Sequence, residues 1–168
     1  MREQALKILG IDPGLVRSGY GVINAGAAVR VVEAGIISAP ATRGMPLDNR
    51  IRMIYESMRE IIERHKPDVM AVEQLYSHYA HPRTAILMGH ARGVIFLAAA
   101  AHGVPVVSYS ATQVKKSLTG NGHAGKEQMQ RMIKNVLGLG KPPSPPDVAD
   151  ALAVALCHAG HAAHSRTP

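Results

Sequence analysis

Four carboxylates stand where their apolar neighbours should exclude them. Asp12 follows Ile8, Leu9 and Ile11, and Glu73 follows Val69, Met70, Ala71 and Val72, so each closes an apolar run that reads as a buried strand. Asp147 and Asp150 are three apart, on one face of a helix whose continuation, Ala151-Leu152-Ala153-Val154-Ala155-Leu156, is wholly apolar. Carboxylates that converge without matched arginines repel one another, and such a cluster requires divalent cations. Oxygen-only ligands favour Mg²⁺ or Mn²⁺ over zinc. Two such ions about 3.5–4 Å apart serve in-line displacement at phosphorus, one activating water and the other stabilising the leaving oxygen. Simpler roles stay open for two of the acids. Asp12 fits the Asp12-Pro13-Gly14 turn, and Ser144-Pro145-Pro146-Asp147 fits a helix start with Ser144 as N-cap and Asp147 at the capping-box position.

The elements that must position these acids follow from periodicity. Lys7–Asp12, Tyr20–Asn24 and Arg30–Ser38 read as a strand meander, with Gly26 as a turn signal. From Leu47 onward, Ile51, Ile54, Tyr55, Met58, Ile61 and Ile62 recur at three and four residues, an amphipathic helix stopped before Pro67. Val69–Glu73 is a buried strand, Thr84–Ala101 a nearly all-apolar helix and Pro105–Ser108 another strand. Ala111–Leu118, Lys126–Leu137 and Asp147–Ala159 read as helices. Strands first, then strand and helix alternating, predict an α/β domain whose mixed five-stranded sheet is flanked by helices. Ligands of such sheets gather at the carboxyl ends of parallel strands, where Asp12 and Glu73 fall. Residues 1–159 form one domain in this reading, and 160–168 a disordered C-terminal tail that takes in His161 and His164; His158, at the helix end, joins them in a frayed terminus.

Charge points to a polyanionic partner. The 168 residues carry a formal charge of +7, and Ser77 to Pro146 holds eight basic residues against one acid, so the excess belongs to one segment. The single Cys157 forms no internal disulfide and no leader precedes Asp12, which together predict a cytoplasmic protein. The apolar run Val94–Ala101 is too short to span a bilayer. Lys126 opens a helix after the glycine-rich stretch Gly120-Asn121-Gly122-His123-Ala124-Gly125, where backbone N–H groups and an ammonium could meet a phosphate. Gly14, Gly19 and Gly21 make no phosphate loop, because no Gly-Lys-Ser/Thr follows; they read as glycines that let backbone approach the site.

In order along nearly the whole chain stand Gly10-Ile11-Asp12-Pro13-Gly14 with Gly19-Tyr20-Gly21, Val72-Glu73-Gln74, Ala91-Arg92-Gly93, Gln113-Val114-Lys115, Gly120-Asn121-Gly122 with Lys126-Glu127-Gln128, and Asp147-Val148-Ala149-Asp150-Ala151-Leu152-Ala153. The ordered set resembles the RuvC Holliday-junction resolvases. The resemblance implies an RNase H-like fold, a homodimer, and metal-dependent symmetric nicking of two strands of like polarity at a four-way DNA junction, in recombination and repair. It implies that Asp12, Glu73, Asp147 and Asp150 are the catalytic, metal-binding acids, that Lys115 and Lys126 lie near the scissile strand, and that Tyr76 contacts an unpaired base at the crossover. RuvA and RuvB, the branch-migration proteins, would be partners. Leu15, His90 and Gly125 depart from the family pattern; none removes a metal ligand. Rival readings are weaker. A ribosomal-RNA-processing nuclease of the YqgF kind would share the first acidic motif and lack the Ala-Arg-Gly, Gln-Val-Lys and Asp-x-x-Asp blocks. An ATPase of the actin and sugar-kinase type needs a second lobe that 168 residues cannot supply, and a non-catalytic junction binder has no use for the acids.

Overall fold

The computed structural model describes residues 5–40, 44–75 and 82–165. Its elements are β1 (Leu6–Asp12), β2 (Arg17–Ala25), β3 (Val29–Ser38), α1 (Leu47–His65), β4 (Val69–Glu73), α2 (Pro82–Ala101), β5 (Val106–Tyr109), α3 (Ala111–Thr119), α4 (Lys126–Val136) and α5 (Pro146–His164). The five strands lie in the order β3-β2-β1-β4-β5. The meander pairs antiparallel, whereas β4 runs parallel to β1 and β5 parallel to β4. This is the mixed five-stranded sheet that the sequence predicts.

β1 lies in the middle of the sheet and is covered on both faces, which is why its apolar run is unbroken. Leu9 and Ile11 pack with Met58 of α1 and Ile95 of α2. Ile8 packs on the opposite side with Leu152 and Leu156 of α5. Gly10 belongs to that second face, and a Cβ there would overlap the carbonyl oxygen of Ala151 and press on Ala155. The missing side chain lets α5 lie directly on the central strand, where it reaches the carboxyl ends of β1 and β4.

Most elements differ from the expected bounds by one or two residues, and three differences bear on the site or the chain end. β2 begins at Arg17, not Tyr20, because pairing continues to Asp12 opposite Gly19 on one side and Arg17 opposite Ser38 on the other. Ladder bonds to neighbours leave no trace in the strand's own alternation. α5 starts at Pro146 with Pro145 before it as the cap residue and no side-chain cap bond, so Ser144 stands one place too early to act as the N-cap. Asp147 is therefore the second helical residue, its carboxylate free for another partner. Finally, α5 runs to His164, so the expected tail from residue 160 is helical for its first turn; residues 166–168 lie outside the described residues. The rings of His161 and His164 donate from Nδ1 to the carbonyls of Cys157 and Gly160, 2.8 and 2.7 Å away. His158 is no frayed residue either, since its Nδ1 lies 2.8 Å from the hydroxyl of buried Tyr109.

α2 has two apolar sides. Ala91, Ile95, Ala98 and Ala99 are buried in the core, while Ile86 and Leu97 stay 63% and 58% exposed. The whole helix, longer than the Val94–Ala101 run, is long and apolar enough to cross a membrane by length and composition alone.

Candidate active site

Asp12 and Glu73 end the adjacent parallel strands β1 and β4, one strand position beyond the paired residues Ile11 and Val72. Both acids are half-buried. α5 delivers Asp147 and Asp150 from above the same sheet end, and its approach depends on Gly19, where a Cβ would collide with the carbonyl group of Asp147. Gly19 faces Asp12 across the β1–β2 pair. The backbone-approach role that the sequence suggested for Gly19 is thus what the structure contains.

Electrostatics shows that the four acids form one cluster. The Asp12 carboxyl is pushed from an ordinary 3.8 up to about 7, first by burial and then by the charges of Glu73, Asp150 and Asp147. Burial and then Asp150 also raise Glu73, against the pull of Lys115. Asp150, although exposed overall, is raised first by partial desolvation. Lys126 pulls it back, Asp147 raises it and Lys115 lowers it. Asp12 alone among these three has no cation opposing its shift.

Lys115 and Lys126 meet the cluster from α3 and α4, lining with Glu73 and Asp150 a recess of about 320 Å³. α3 is fixed for this by a reciprocal cap: Gln113 N donates to Ser110 Oγ at 3.2 Å and Ser110 N donates to Gln113 Oε1 at 2.8 Å. A second recess, about 440 Å³, carries Asp12 and Glu73 on its wall with Ser110 and Thr112. Glu73 thus stands between the two. A larger cavity of about 540 Å³ lies away from the acids, lined by Leu6, Val29, Leu118 and Leu156, and none of the candidate residues reaches it. Tyr76 falls outside the described residues, as do His78, Tyr79 and His81.

One residue escaped the sequence reading. Arg17 Nη2 donates to Asp147 Oδ2 at 3.0 Å, so one of the four acids does have a matched arginine. The signal for it was the antiparallel return: five residues past Asp12, a chain that turns once is back beside the end of β1. Asp147 is thus the exception to the unmatched acids on which the metal reading depends.

The donor set fits hard cations. Its oxygens are partly desolvated and mutually repelling, and the neighbouring ammonium groups offset only part of the charge. Among the described residues no three His, Cys, Asp or Glu side chains stand close enough together to hold one metal ion as they lie. The acids instead line two neighbouring recesses at the sheet end, Glu73 and Asp150 on one and Asp12 and Glu73 on the other.

Comparison with known proteins agrees. The structure of Thermus thermophilus RuvC superposes with a TM-score of 0.87 at 35% identity, covering 95% of this chain and 97% of the other. T. thermophilus RuvC in complex with Holliday junction substrate gives 0.88, again at 35% identity, with 95% and 96% covered. The fold is RNase H-like. The family profile described as crossover junction endodeoxyribonuclease RuvC matches residues 8–158. The RuvC of Rhodopirellula baltica is 53% identical over 155 residues, 92% of this chain and 85% of that protein. That of Moorella thermoacetica is 49% identical over 156 residues, 92% of each. The chain belongs to the RuvC family of crossover junction endodeoxyribonucleases.

Proposed function

We propose that the protein resolves four-way DNA junctions as a homodimer, each protomer nicking one of two strands of like polarity, with Asp12, Glu73, Asp147 and Asp150 holding two Mg²⁺ ions, or Mn²⁺ in their place. The observation that carries this reading is geometric: Asp12 and Glu73 end the adjacent strands β1 and β4 on one recess, and α5 brings Asp150 onto a second recess with Glu73 and the Asp147 backbone against Gly19, opposite Asp12. When bound, the cations supply Lewis acidity at phosphorus and lower the pKa of the attacking water. Asp12 and Glu73, fixed on rigid strand ends, set the position of the scissile phosphodiester. Lys115 and Lys126 balance its charge from the rim, and Tyr76 meets an unpaired base at the crossover. RuvA and RuvB are the partners, and the protein works in the cytoplasm.

The exposed side of α2 supplies the dimer face. Ile86, Gly89, Gly93 and Leu97 follow one another at three- and four-residue steps on that side, all exposed, and a Cβ at either glycine would meet nothing within 4 Å. Two such helices could approach closely there. A two-fold axis through this contact gives two active sites related as the two cuts are.

The deciding experiment is a nicking assay on a synthetic four-way junction and on linear duplex of the same sequence, with and without Mg²⁺ or Mn²⁺. Paired nicks in opposed strands of the junction alone, and only with metal, are the expected result. Equal cutting of the linear duplex, or cutting in chelator, rejects the reading.

A further inference from the structure

We infer that Arg17 is a positioning residue of the DNA complex: it ties Asp147 to a backbone phosphate of the bound strand, on the side of the site opposite Lys115 and Lys126. The inference rests on the junction-nuclease reading and adds to it a contact outside the acids and the lysines.

Both ends of the Arg17–Asp147 pair are held by backbone. Ser18 Oγ donates to the Gly14 carbonyl at 2.7 Å and accepts from Gly14 N at 3.0 Å, which closes the turn between β1 and β2 just before Arg17 leaves it. A Cβ on Gly14 would strike the carbonyl oxygen of Arg17, so this turn is tight on both sides. At the other end, Gly19 is packed against the carbonyl of Asp147. The pair therefore joins two anchored points of the site, unlike the α1 pairs Arg52–Glu56 and Arg59–Glu63, which lie one turn apart on a solvated helix face.

The guanidinium is also underused. Arginine presents five N–H donors in a fixed fork, and the ion pair with Asp147 engages one nitrogen. The Arg17 side chain remains 53% exposed. A planar guanidinium with free donors beside a nuclease site matches phosphate, and one edge can serve the carboxylate while the other serves the strand. Lys115 and Lys126 approach the cluster from α3 and α4, whereas Arg17 approaches from the β2–β3 side, so the three cations would bracket the strand.

The test uses full-length protein carrying Asp12→Asn, so that the junction stays uncut in Mg²⁺, and measures junction affinity by anisotropy across a salt series. Adding Arg17→Gln should lower the slope of log affinity against log salt by about one unit, the signature of one lost phosphate contact. Arg17→Lys should keep the slope. Circular dichroism verifies folding, and Arg17→Met, which retains the aliphatic stem, gives the same reading if the Gln variant does not fold. A slope equal to that of the parent overturns the inference and leaves Arg17 as a counter-ion of Asp147 alone. Failure of the underlying reading looks different, because the parent itself would then show no preference for the junction over duplex.

Discussion

Gly19 and Asp147 lie in direct backbone contact, the α-carbon of β2 against the carbonyl of the first turn of α5. This contact sets the height of the helix above the sheet, and with it the distance from Asp147 and Asp150 to Asp12. Gly19→Ala is expected to lift the helix start, lowering stability by about 1–3 kcal/mol in urea unfolding, the usual cost of forcing an extra methyl into a packed site. Cleavage should fall by more than the stability change explains, since both α5 acids move. Near-normal cleavage by a folded variant would show that the site tolerates a displaced helix.

Asp12→Asn, Glu73→Gln and Asp150→Asn should each abolish nicking while junction binding stays near wild type. A carboxamide keeps the shape but loses the anionic charge that holds a divalent cation. Asp147→Asn should also lose activity and additionally loosen Arg17, which loses its charged partner. Gel-shift and single-turnover cleavage on the same preparations separate the two effects, and strong residual cutting by any variant removes that residue from the ligand set.

How much of this was legible in the sequence depends on the kind of interaction. The acids could be found because Asp12 and Glu73 close apolar runs and Asp147 and Asp150 open an apolar helix, and the five strands because covered and half-covered strands carry different patterns. The return of Arg17 to the end of β1 was legible, but its pairing with Asp147 was not, because the two are 130 residues apart and only the fold joins them. Nor could the buried side of α2 be chosen in advance, as its apolar residues surround the helix; only the folded chain shows Ala91 and Ala98 inside and Gly89 and Gly93 outside. The end of α5 is not legible because Ala and His in its last turns carry little periodicity, whereas in the folded chain His161 and His164 bond back to the carbonyls of Cys157 and Gly160.

Metal-free protein should lose stability as pH rises from about 4 to 7. Asp12 titrates near 7 in the folded chain and near 3.8 when unfolded, so across that window the folded state binds more protons. Raised values for Glu73 and Asp150 act in the same sense. His158, lowered by burial, acts oppositely as pH falls below its ordinary 6.5. Comparison with Asp12→Asn isolates the carboxylate: thermal melts in chelator should show a shallower decline in the variant. Mg²⁺ should raise the melting temperature more at pH 8 than at pH 5, since protons and the cation compete for the same oxygens. An equal Mg²⁺ effect at both values would contradict the cluster's coupling.

Ile86→Glu and Leu97→Glu should turn a dimer into monomers, read by light scattering at micromolar concentration. Both side chains are more than half exposed, so the substitutions leave the core of the protomer alone. Ala98→Glu, by contrast, buries a charge and should unfold the chain. A helix of this composition could also seek lipid, and sedimentation with liposomes distinguishes that: the dimer face predicts no vesicle binding by the wild type.

The last expectation separates two adjacent lysines. Lys115 lines the recess with Glu73 and Asp150 and lowers the pKa of both, whereas Lys116 is exposed in the last turn of α3, outside the recess. Consecutive residues on a helix point about 100° apart, so α3 can aim only one of them at the scissile strand. Lys115→Ala should slow single-turnover cleavage at saturating junction by about tenfold or more, the scale of losing one preorganised charge at a phosphoryl centre. The variant should also show higher pKa values for Glu73 and Asp150, because the cation opposing their rise is gone, and a steeper decline of metal-free stability with pH should follow. Lys116→Ala should change neither. Equal losses from both substitutions would mean that α3 contributes only diffuse positive charge, in which case the capping box at Ser110 would have no catalytic consequence and Ser110→Ala would leave the cleavage rate intact.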